Sequence, residues 1–207
     1  MYWLDLFGTF AFAVSGAMLG VRRHLDLLGA LVLAVVTGVG GGILRDVMLG
    51  VMPPGAMRDE TYLLVCLLGG GLSVGYSRAV KRYWNHVMVA DAVGLAVFTV
   101  IGASQAHVHG LGPIGVMMMA ALTATGGGAI RDLLAMRIPI IVRKDFYASA
   151  AILGGLLWWA LCEFSCPELP KIALTLAVTL GLRLWAMAHK VRLPRLGFRA
   201  PDDKPRG

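Results

Sequence analysis

Long runs of apolar residues, separated by short polar or glycine-containing connections, occupy most of the chain. A helical run of about 20 apolar residues crosses the roughly 30 Å hydrocarbon core of a bilayer, and somewhat shorter runs are accommodated. The apolar runs cover residues 4–21, 27–49, 62–76, 87–106, 111–136, 146–164 and 172–188. This pattern predicts an all-α polytopic membrane protein with seven transmembrane helices.

A glycine-rich motif occurs twice within these runs. The motif that starts at Thr37 and ends in Gly-Gly-Gly-Ile-Leu-Arg-Asp46 returns, 86 positions later, from Thr123 to the end of Gly-Gly-Gly-Ala-Ile-Arg-Asp132. Further pairs at this offset are Asp5 and Asp91, Gly16 and Gly102, and Gly69 and Gly155. Internal duplications of this kind are typical of transporters and channels.

The duplication divides the chain into parts. It predicts a three-helix repeat at residues 1–80, a second three-helix repeat at 81–168, a seventh helix at 169–189 and a basic cytoplasmic tail at 190–207. Because three is an odd number of crossings, the second repeat is expected to be inverted in the membrane relative to the first.

The composition requires a lipid environment. Hydrophobic residues make up 57% of the 207 residues, charged residues only 15%, and the mean hydropathy is +0.73. A water-soluble surface needs about a quarter or more charged residues. The composition therefore excludes a soluble domain and favours a multi-pass membrane protein.

Basic residues are unevenly distributed among the predicted connections. With the amino terminus outside, fourteen Lys and Arg side chains lie on the inner side and two, Arg58 and Lys171, on the outer side. The positive-inside rule therefore predicts an external amino terminus and a cytoplasmic carboxyl terminus. The tail from Lys190 to Arg206 then lies beside anionic lipids, so membrane lipids rather than nucleic acid explain the net charge of +7.

The glycine triplets in the second and fifth helices are the main candidates for a mechanism. Three consecutive glycines weaken a helix by about 1 kcal/mol each relative to alanine, so we expect a break in both helices. Carbonyl oxygens freed near Gly40 and Gly126, with the hydroxyls of Thr37 and Thr123, are expected to bind K⁺ or Na⁺ transiently. The alternative is that the glycines allow two helices to pack closely.

Two Arg-Asp pairs follow the triplets and need charge partners. The predicted pore and gate residues are Thr37, Gly40, Gly41, Gly42, Arg45 and Asp46 in the second helix, and Thr123, Gly126, Gly127, Gly128, Arg131 and Asp132 in the fifth. An unpaired charge near the bilayer centre costs about 2.5–3.5 kcal/mol. Adjacent helix residues point about 100° apart, so partners are expected on other helices, and Asp5 and Asp91 are the candidates. The alternative role is structural, as salt bridges between the two halves.

The chain resembles the prokaryotic branch of the trimeric intracellular cation (TRIC) channel family over residues 2–188. The resemblance rests on the number of helices and on Gly-Gly-Gly-x-x-Arg-Asp in the second helix of each half. It implies a homotrimer in a prokaryotic inner membrane, with one pore in each protomer and with broken second and fifth helices that line the pore. It also implies permeation of monovalent cations without a cofactor.

A different class of function stays open from the sequence. Arg and Asp beside opposed half-helices also suit a facilitator or secondary transporter of a small zwitterion such as glycine. An enzyme is not predicted, since the sequence has no nucleophile elbow, His-Glu-x-x-His motif or phosphate loop. His107 and His109 lack the further ligands that a metal site needs.

Overall fold

The computed structural model describes residues 1–76, 84–139, 141 and 146–189. Eight helices form in this part of the chain, and each predicted apolar run coincides with one of them. The helices are α1 (Tyr2–Arg22), α2 (Leu27–Met48), α3 (Gly55–Arg58), α4 (Thr61–Gly75), α5 (Trp84–Val108), α6 (Pro113–Leu134), α7 (Ala148–Glu163) and α8 (Glu168–Ala188). The sequence missed α3 because a helix of four residues is too short to show a hydrophobic period.

Helix length and composition agree with the predicted membrane protein. Five helices, α1, α2, α5, α6 and α8, are long and apolar enough to cross a bilayer. The apolar helices α4 and α7 are shorter, with 15 and 16 residues. The basic tail at 190–207, and most of the basic connection at 77–86, lie outside the described residues.

Helix ends follow local sequence signals. Asp26 precedes α2, and its Oδ1 accepts a hydrogen bond from the Gly29 amide at 2.7 Å, which satisfies one of the free donors of the first turn. Pro113 is the first residue of α6, where its missing amide hydrogen costs nothing. These signals start the two glycine-containing helices at corresponding distances from their triplets.

The backbones of α2 and α6 meet at the glycine triplets. A Cβ atom at Gly41 would overlap the carbonyl oxygen of Thr123, and one at Gly127 would overlap the carbonyl oxygen of Thr37. The position of a Cβ at Gly40 is 3.5 Å from the Cα of Gly127. The contacts are reciprocal, like those between two copies related by a two-fold axis. They leave no room for a side chain where the two helices cross.

The predicted break at the triplets is wrong. Both α2 and α6 continue as single α-helices through Gly40–Gly42 and Gly126–Gly128. The glycines instead allow the close packing given above as the alternative, because without side chains the two helices touch. This contact stabilises two helices that glycine would otherwise weaken.

Matched contacts continue on either side of the crossing. The rings of Phe12 in α1 and Phe98 in α5 stack with centroids 5.2 Å apart. Gly16 of α1 lies against the Thr37 hydroxyl, and Gly102 of α5 lies in the same way against the Thr123 hydroxyl. Residues 86 positions apart thus make equivalent contacts, and α1 packs on α2 as α5 packs on α6.

We expect Gly41→Ala and Gly127→Ala each to destabilise the protein, because the new methyl group would overlap a carbonyl oxygen that belongs to a packed backbone. Overpacking of this kind costs about 1–3 kcal/mol. The measurement is thermal unfolding of the purified protein in detergent. Gly181→Ala in α8 is the matched control, since nothing lies within 4 Å of its added Cβ. Equal unfolding temperatures for all three variants would contradict a close crossing.

Candidate functional site

Both Arg-Asp pairs stand in the last turn of their helix. After α2, Gly50 adopts a φ of +73° and the Val51 amide donates to the Asp46 carbonyl at 2.8 Å. α6 ends in the same way, with Met136 at a φ of +51°. Both arginines therefore lie near the end of a helix rather than at its centre. A guanidinium in the last turn is favourable because the carbonyl end of a helix is partly negative.

The first charge cluster consists of Asp5, Arg45, Asp46 and Tyr62. Arg45 Nε donates to Asp46 Oδ1 at 2.8 Å, and Arg45 Nη1 is 3.9 Å from Asp5 Oδ2. The same Asp5 oxygen accepts a hydrogen bond from the Tyr62 hydroxyl at 3.0 Å. The structure thus brings Arg45 to the predicted partner Asp5, and it adds Tyr62, which sequence reasoning did not identify.

Direct contact between Arg45 and Asp46 corrects the expectation that sequence neighbours cannot pair. The Arg side chain is long enough to curve along the helix surface and reach the next residue. The other oxygen of Asp46, Oδ2, accepts from the Gly55 amide at 2.8 Å, which is how α3 closes over the end of α2. Sequence reasoning could not identify this contact, because the backbone amide of Gly55 makes it and a backbone amide has no sequence signature.

A small cavity opens beside the first charge cluster. Its lining includes Asp5, Thr9, Gly38, Gly42, Arg45, Asp46 and Tyr62. The volume of the cavity is about 20 Å³, which is enough for about one water. Arg45 Nη1 is buried without a hydrogen-bond partner in the described chain. The cavity therefore offers a polar position, large enough for one water, beside two carboxylates and one guanidinium.

The second charge cluster consists of Asp91, Arg131 and Asp132, joined by Ser15. Arg131 Nη1 donates to Asp91 Oδ1 and to the Ser15 hydroxyl, both at 2.7 Å, and Arg131 Nε donates to Asp132 Oδ1 at 3.1 Å. Arg131 is 3% exposed, and the two carboxylates 1% each. This guanidinium ties α1, α5 and α6 together in a position closed to solvent.

Two further residues complete the second charge cluster. The guanidinium carbon of Arg183, in α8, lies 4.7 Å from the centroid of the Tyr147 ring. Both side chains are almost fully buried, at 2% and 1% exposure. Sequence reasoning counted Arg183 only as a basic residue within a helix and did not single out Tyr147, since neither belongs to the duplicated motif.

The third glycine of each triplet provides room for the arginine that follows it. A Cβ at Gly42 would lie 3.8 Å from Arg45 Nη2, and a Cβ at Gly128 would lie 3.6 Å from Arg131 Nη2 and 2.9 Å from the Tyr147 hydroxyl. Helical side chains point back towards the preceding turn, so an arginine three positions later passes over this glycine. The spacing Gly-x-x-Arg is explained by this contact.

The threonine hydroxyls and carbonyls beside the triplets are engaged within the protein. The Thr37 hydroxyl donates to the Leu33 carbonyl at 2.5 Å, and the Thr123 hydroxyl donates to the Met119 carbonyl at 2.7 Å. The carbonyl oxygens of both threonines lie against the glycines of the facing helix. Because α2 and α6 are continuous here, no helix break frees the carbonyls near Gly40 and Gly126, and transient K⁺ or Na⁺ binding at them stays a prediction.

Asp59, just before α4, helps to hold Tyr62 in the first charge cluster. Its Oδ1 accepts from the Thr61 amide at 2.9 Å, and its Oδ2 accepts from the Tyr2 hydroxyl at 2.6 Å. Hydrogen bonds from Thr61 and then Tyr2 lower the pKa of the Asp59 carboxyl below its usual value. These bonds hold the start of α4, and with it Tyr62, beside α1.

The fold matches solved channel structures over nearly its full length. A TRIC cation channel superimposes with a TM-score of 0.89 at 35% identity, covering 97% of this chain and 98% of the other. The TRIC trimeric intracellular cation channel orthologue from Rhodobacter sphaeroides superimposes with a TM-score of 0.88 at 34% identity, covering 92% and 98%. The fold is that of an all-helical, multi-pass bacterial membrane protein of the TRIC type.

Sequence relatives agree with this class. A UPF0126 membrane protein of Deinococcus radiodurans is 44% identical over 94% of this chain and 91% of its own length. The UPF0126 inner membrane protein YadS of Escherichia coli K12 is 41% identical over 94% and 95%. A family model described as glycine transporter matches residues 2–78 and 88–163. The chain belongs to this TRIC-like family, and the resemblance found in the sequence is confirmed.

We expect Arg131→Gln to destabilise the protein much more than Arg45→Gln. Removing Arg131 leaves the nearly inaccessible Asp91 without the guanidinium that bonds to it, which typically costs about 3–5 kcal/mol. The carboxylates around Arg45 keep the Tyr62 hydroxyl and the Gly55 amide, so the loss there is about half or less. Thermal unfolding in detergent measures both variants. An equal loss for the two would mean that the clusters contribute equally to stability.

Proposed function

We propose that the protein is a channel for the monovalent cations K⁺ and Na⁺. The observation that carries the proposal is the match, across almost the whole chain, to proteins described as TRIC cation channels. The solved relatives are channels, which agrees with the expectation that this chain is not an enzyme. The selectivity between K⁺ and Na⁺ depends on ligands that the cavity beside the first charge cluster supplies.

In this proposal the cation passes beside α2 at the first charge cluster. The carboxylates of Asp5 and Asp46 lie beside the cavity together with Arg45, so the cavity offers oxygen ligands to a cation. Arg45 acts as the gate, because its Nη1 is the one guanidinium nitrogen there without a hydrogen-bond partner in the described residues. A small rotation of this side chain towards Asp46 would widen the space near Asp5.

The proposed topology has seven transmembrane helices in two inverted repeats. It treats α3 as part of a connection and counts α4 and α7 as short spans, with repeats at 1–80 and 81–168, the seventh helix at 169–189 and a tail at 190–207. The reciprocal contacts of Gly41 with Thr123 and of Gly127 with Thr37 support the repeat relation. The basic residues support an external amino terminus and a cytoplasmic carboxyl terminus.

Saturable transport of a small zwitterion such as glycine is the second candidate function. The description of the matching family model as glycine transporter favours it. The unpartnered Nη1 of Arg45 would suit a substrate carboxylate, and Asp5 would suit an ammonium group. The second charge cluster does not suit a substrate in the same way, since Arg131 already bonds to Asp91, Asp132 and Ser15.

We expect purified wild-type protein to give unitary cation currents in planar bilayers, and Arg45→Gln to raise them. Removing a positive charge beside a permeating ion lowers its barrier by about 1 kcal/mol in a partly hydrated site, which is about fivefold in current. Arg58→Gln is the matched control, because Arg58 is exposed in α3 and bonds only to the Met52 carbonyl among its described contacts. It should leave the current unchanged.

Two results would count against the channel. Saturable uptake of radiolabelled glycine into liposomes without resolvable unitary current would favour the transporter. Reduced current in Arg45→Gln, with the folded protein intact, would remove Arg45 as a gate and make it a ligand of the permeating species.

We also expect a homotrimer with a pore inside each protomer. The solved relatives are described as trimeric, and α4 leaves a face of large and small apolar residues exposed on the protomer. This face includes Leu64, Leu67, Leu68, Gly71 and Leu72. Native mass spectrometry of the detergent-solubilised protein should show three chains. A stable dimer, or one shared pore on the oligomer axis, would contradict this arrangement.

A further inference from the structure

A cysteine and a lysine meet where α7 and α8 join. Lys171 Nζ donates a hydrogen bond to Cys162 Sγ at 3.6 Å. Cys162 lies one residue before the end of α7, Lys171 lies in the first turn of α8, and both are partly exposed. The residue that precedes Cys162 by the repeat offset of 86 is Tyr76, so the first repeat has no such cysteine. This contact belongs to neither charge cluster.

The backbone between the two helices fixes this contact. Only residues 164–167 separate α7 from α8. The Ser165 amide donates to the Cys162 carbonyl at 2.9 Å, and the Cys166 amide donates to the Leu161 carbonyl at 3.1 Å. This pair of bonds is a common way to end a helix and turn the chain. The start of α8 is thereby held beside the last turn of α7.

The lysine is also positioned from the side of the protein. Its Nζ lies 5.4 Å from the centroid of the Trp158 ring, and Trp158 is 3% exposed. Trp158 precedes Cys162 by four residues, so both lie on one face of α7. Glu163 and Glu168 stand at the two helix ends, but in the part of the chain that the structure describes no carboxylate forms an ion pair with Lys171. The ammonium group therefore remains beside the sulfur.

An amine nitrogen next to a thiol permits a specific oxidation reaction. A peroxide converts the thiol to a sulfenic acid and is itself reduced to water, and a sulfenic acid condenses with a nearby nitrogen to a sulfenamide. The separation of 3.6 Å between Sγ and Nζ is close to the roughly 3–3.5 Å from which positioned groups react. After the ammonium releases one proton to solvent, the S–N bond forms and the S–O bond breaks. The hydroxyl leaves as water with a second proton from the nitrogen.

We propose that Cys162 is a peroxide-sensitive modification site and that Lys171 captures its oxidised sulfur, which joins α7 to α8 covalently. α8 is the least buried of the five long apolar helices in the described chain, so a bond at its start strengthens its attachment. In the topology proposed above, this end of both helices faces outside, away from the thiols that keep the cytosol reduced. The reaction uses these two side chains whatever the protein transports.

Peptide mapping of the full-length protein tests the linkage. The purified protein is treated with hydrogen peroxide, digested without reductant and analysed by mass spectrometry. The Cys162 peptide should be joined to the Lys171 peptide, two hydrogen atoms lighter than their sum, and dithiothreitol should separate them. Lys171→Gln should abolish the linked peptide while Cys162 is still oxidised. Oxidised Cys162 without this linkage in the wild type would overturn the proposal.

Cys166 supplies a control within the same molecule. It is partly exposed like Cys162, but Lys171 donates to Cys162 and not to Cys166. Cys166→Ser should therefore keep the linkage at the wild-type yield, whereas Cys162→Ser should lose it. A disulfide between Cys162 and Cys166 as the main product would overturn the proposal, because the capturing group would then be a thiol. Oxidation of Cys166 while Cys162 stays reduced would overturn it as well.

Thermal unfolding in detergent measures what the linkage does to the protein. A cross-link restricts the unfolded chain, so peroxide-treated wild type should unfold several degrees above Lys171→Gln treated in the same way. This comparison cancels the effect of peroxide on the 11 methionines. Dithiothreitol should remove the difference. Equal unfolding temperatures for the linked wild type and the variant would refute the proposed strengthening of the α8 attachment.

Discussion

The carbonyl oxygens of Thr37 and Thr123 each lie directly against a glycine of the opposite helix, and this backbone contact sets the distance between the two halves of the molecule. A side chain larger than hydrogen at Gly41 or Gly127 is incompatible with it. Because the crossing fixes α2 against α6, it also fixes the helices that pack on them, α1 and α5, whose stacked Phe12 and Phe98 rings lie beside it. The rest of the bundle is built outward from this point.

The same crossing decides where charge is placed. Each triplet is followed at a spacing of three by an arginine in the last turn, so a rigid crossing carries a guanidinium at each of two helix ends. The surroundings then make the two ends different. Arg131 is buried and bonds to Ser15 of α1 and Asp91 of α5, whereas Arg45 borders a cavity. A duplicated backbone thus yields one buried cluster and one cluster that lines a cavity.

Hydropathy predicted the long helices within a few residues, and the 86-residue offset predicted which residues correspond. The same reasoning named Asp5 and Asp91 as candidate charge partners, and in the structure Asp5 lies beside Arg45 and Asp91 bonds to Arg131. It failed at the triplets, because three consecutive glycines are compatible with a broken helix and with a closely packed one. Only the position of the opposite helix distinguishes the two cases. It also missed contacts made by α3, Tyr62, Tyr147 and Arg183, which depend on tertiary proximity and carry no motif.

The two candidate functions require different motions, and the contacts favour one of them. Alternating access needs the two halves to rock against each other, which would separate the tightly packed glycine crossing and break the bonds of Arg131 to Ser15 of the first half. Opening at Arg45, as proposed, would need only one side chain to move beside the cavity, where its Nη1 has no hydrogen bond to lose among the described residues. The lower-cost motion leaves the backbone in place, which is the behaviour of a gated channel rather than of a rocking transporter.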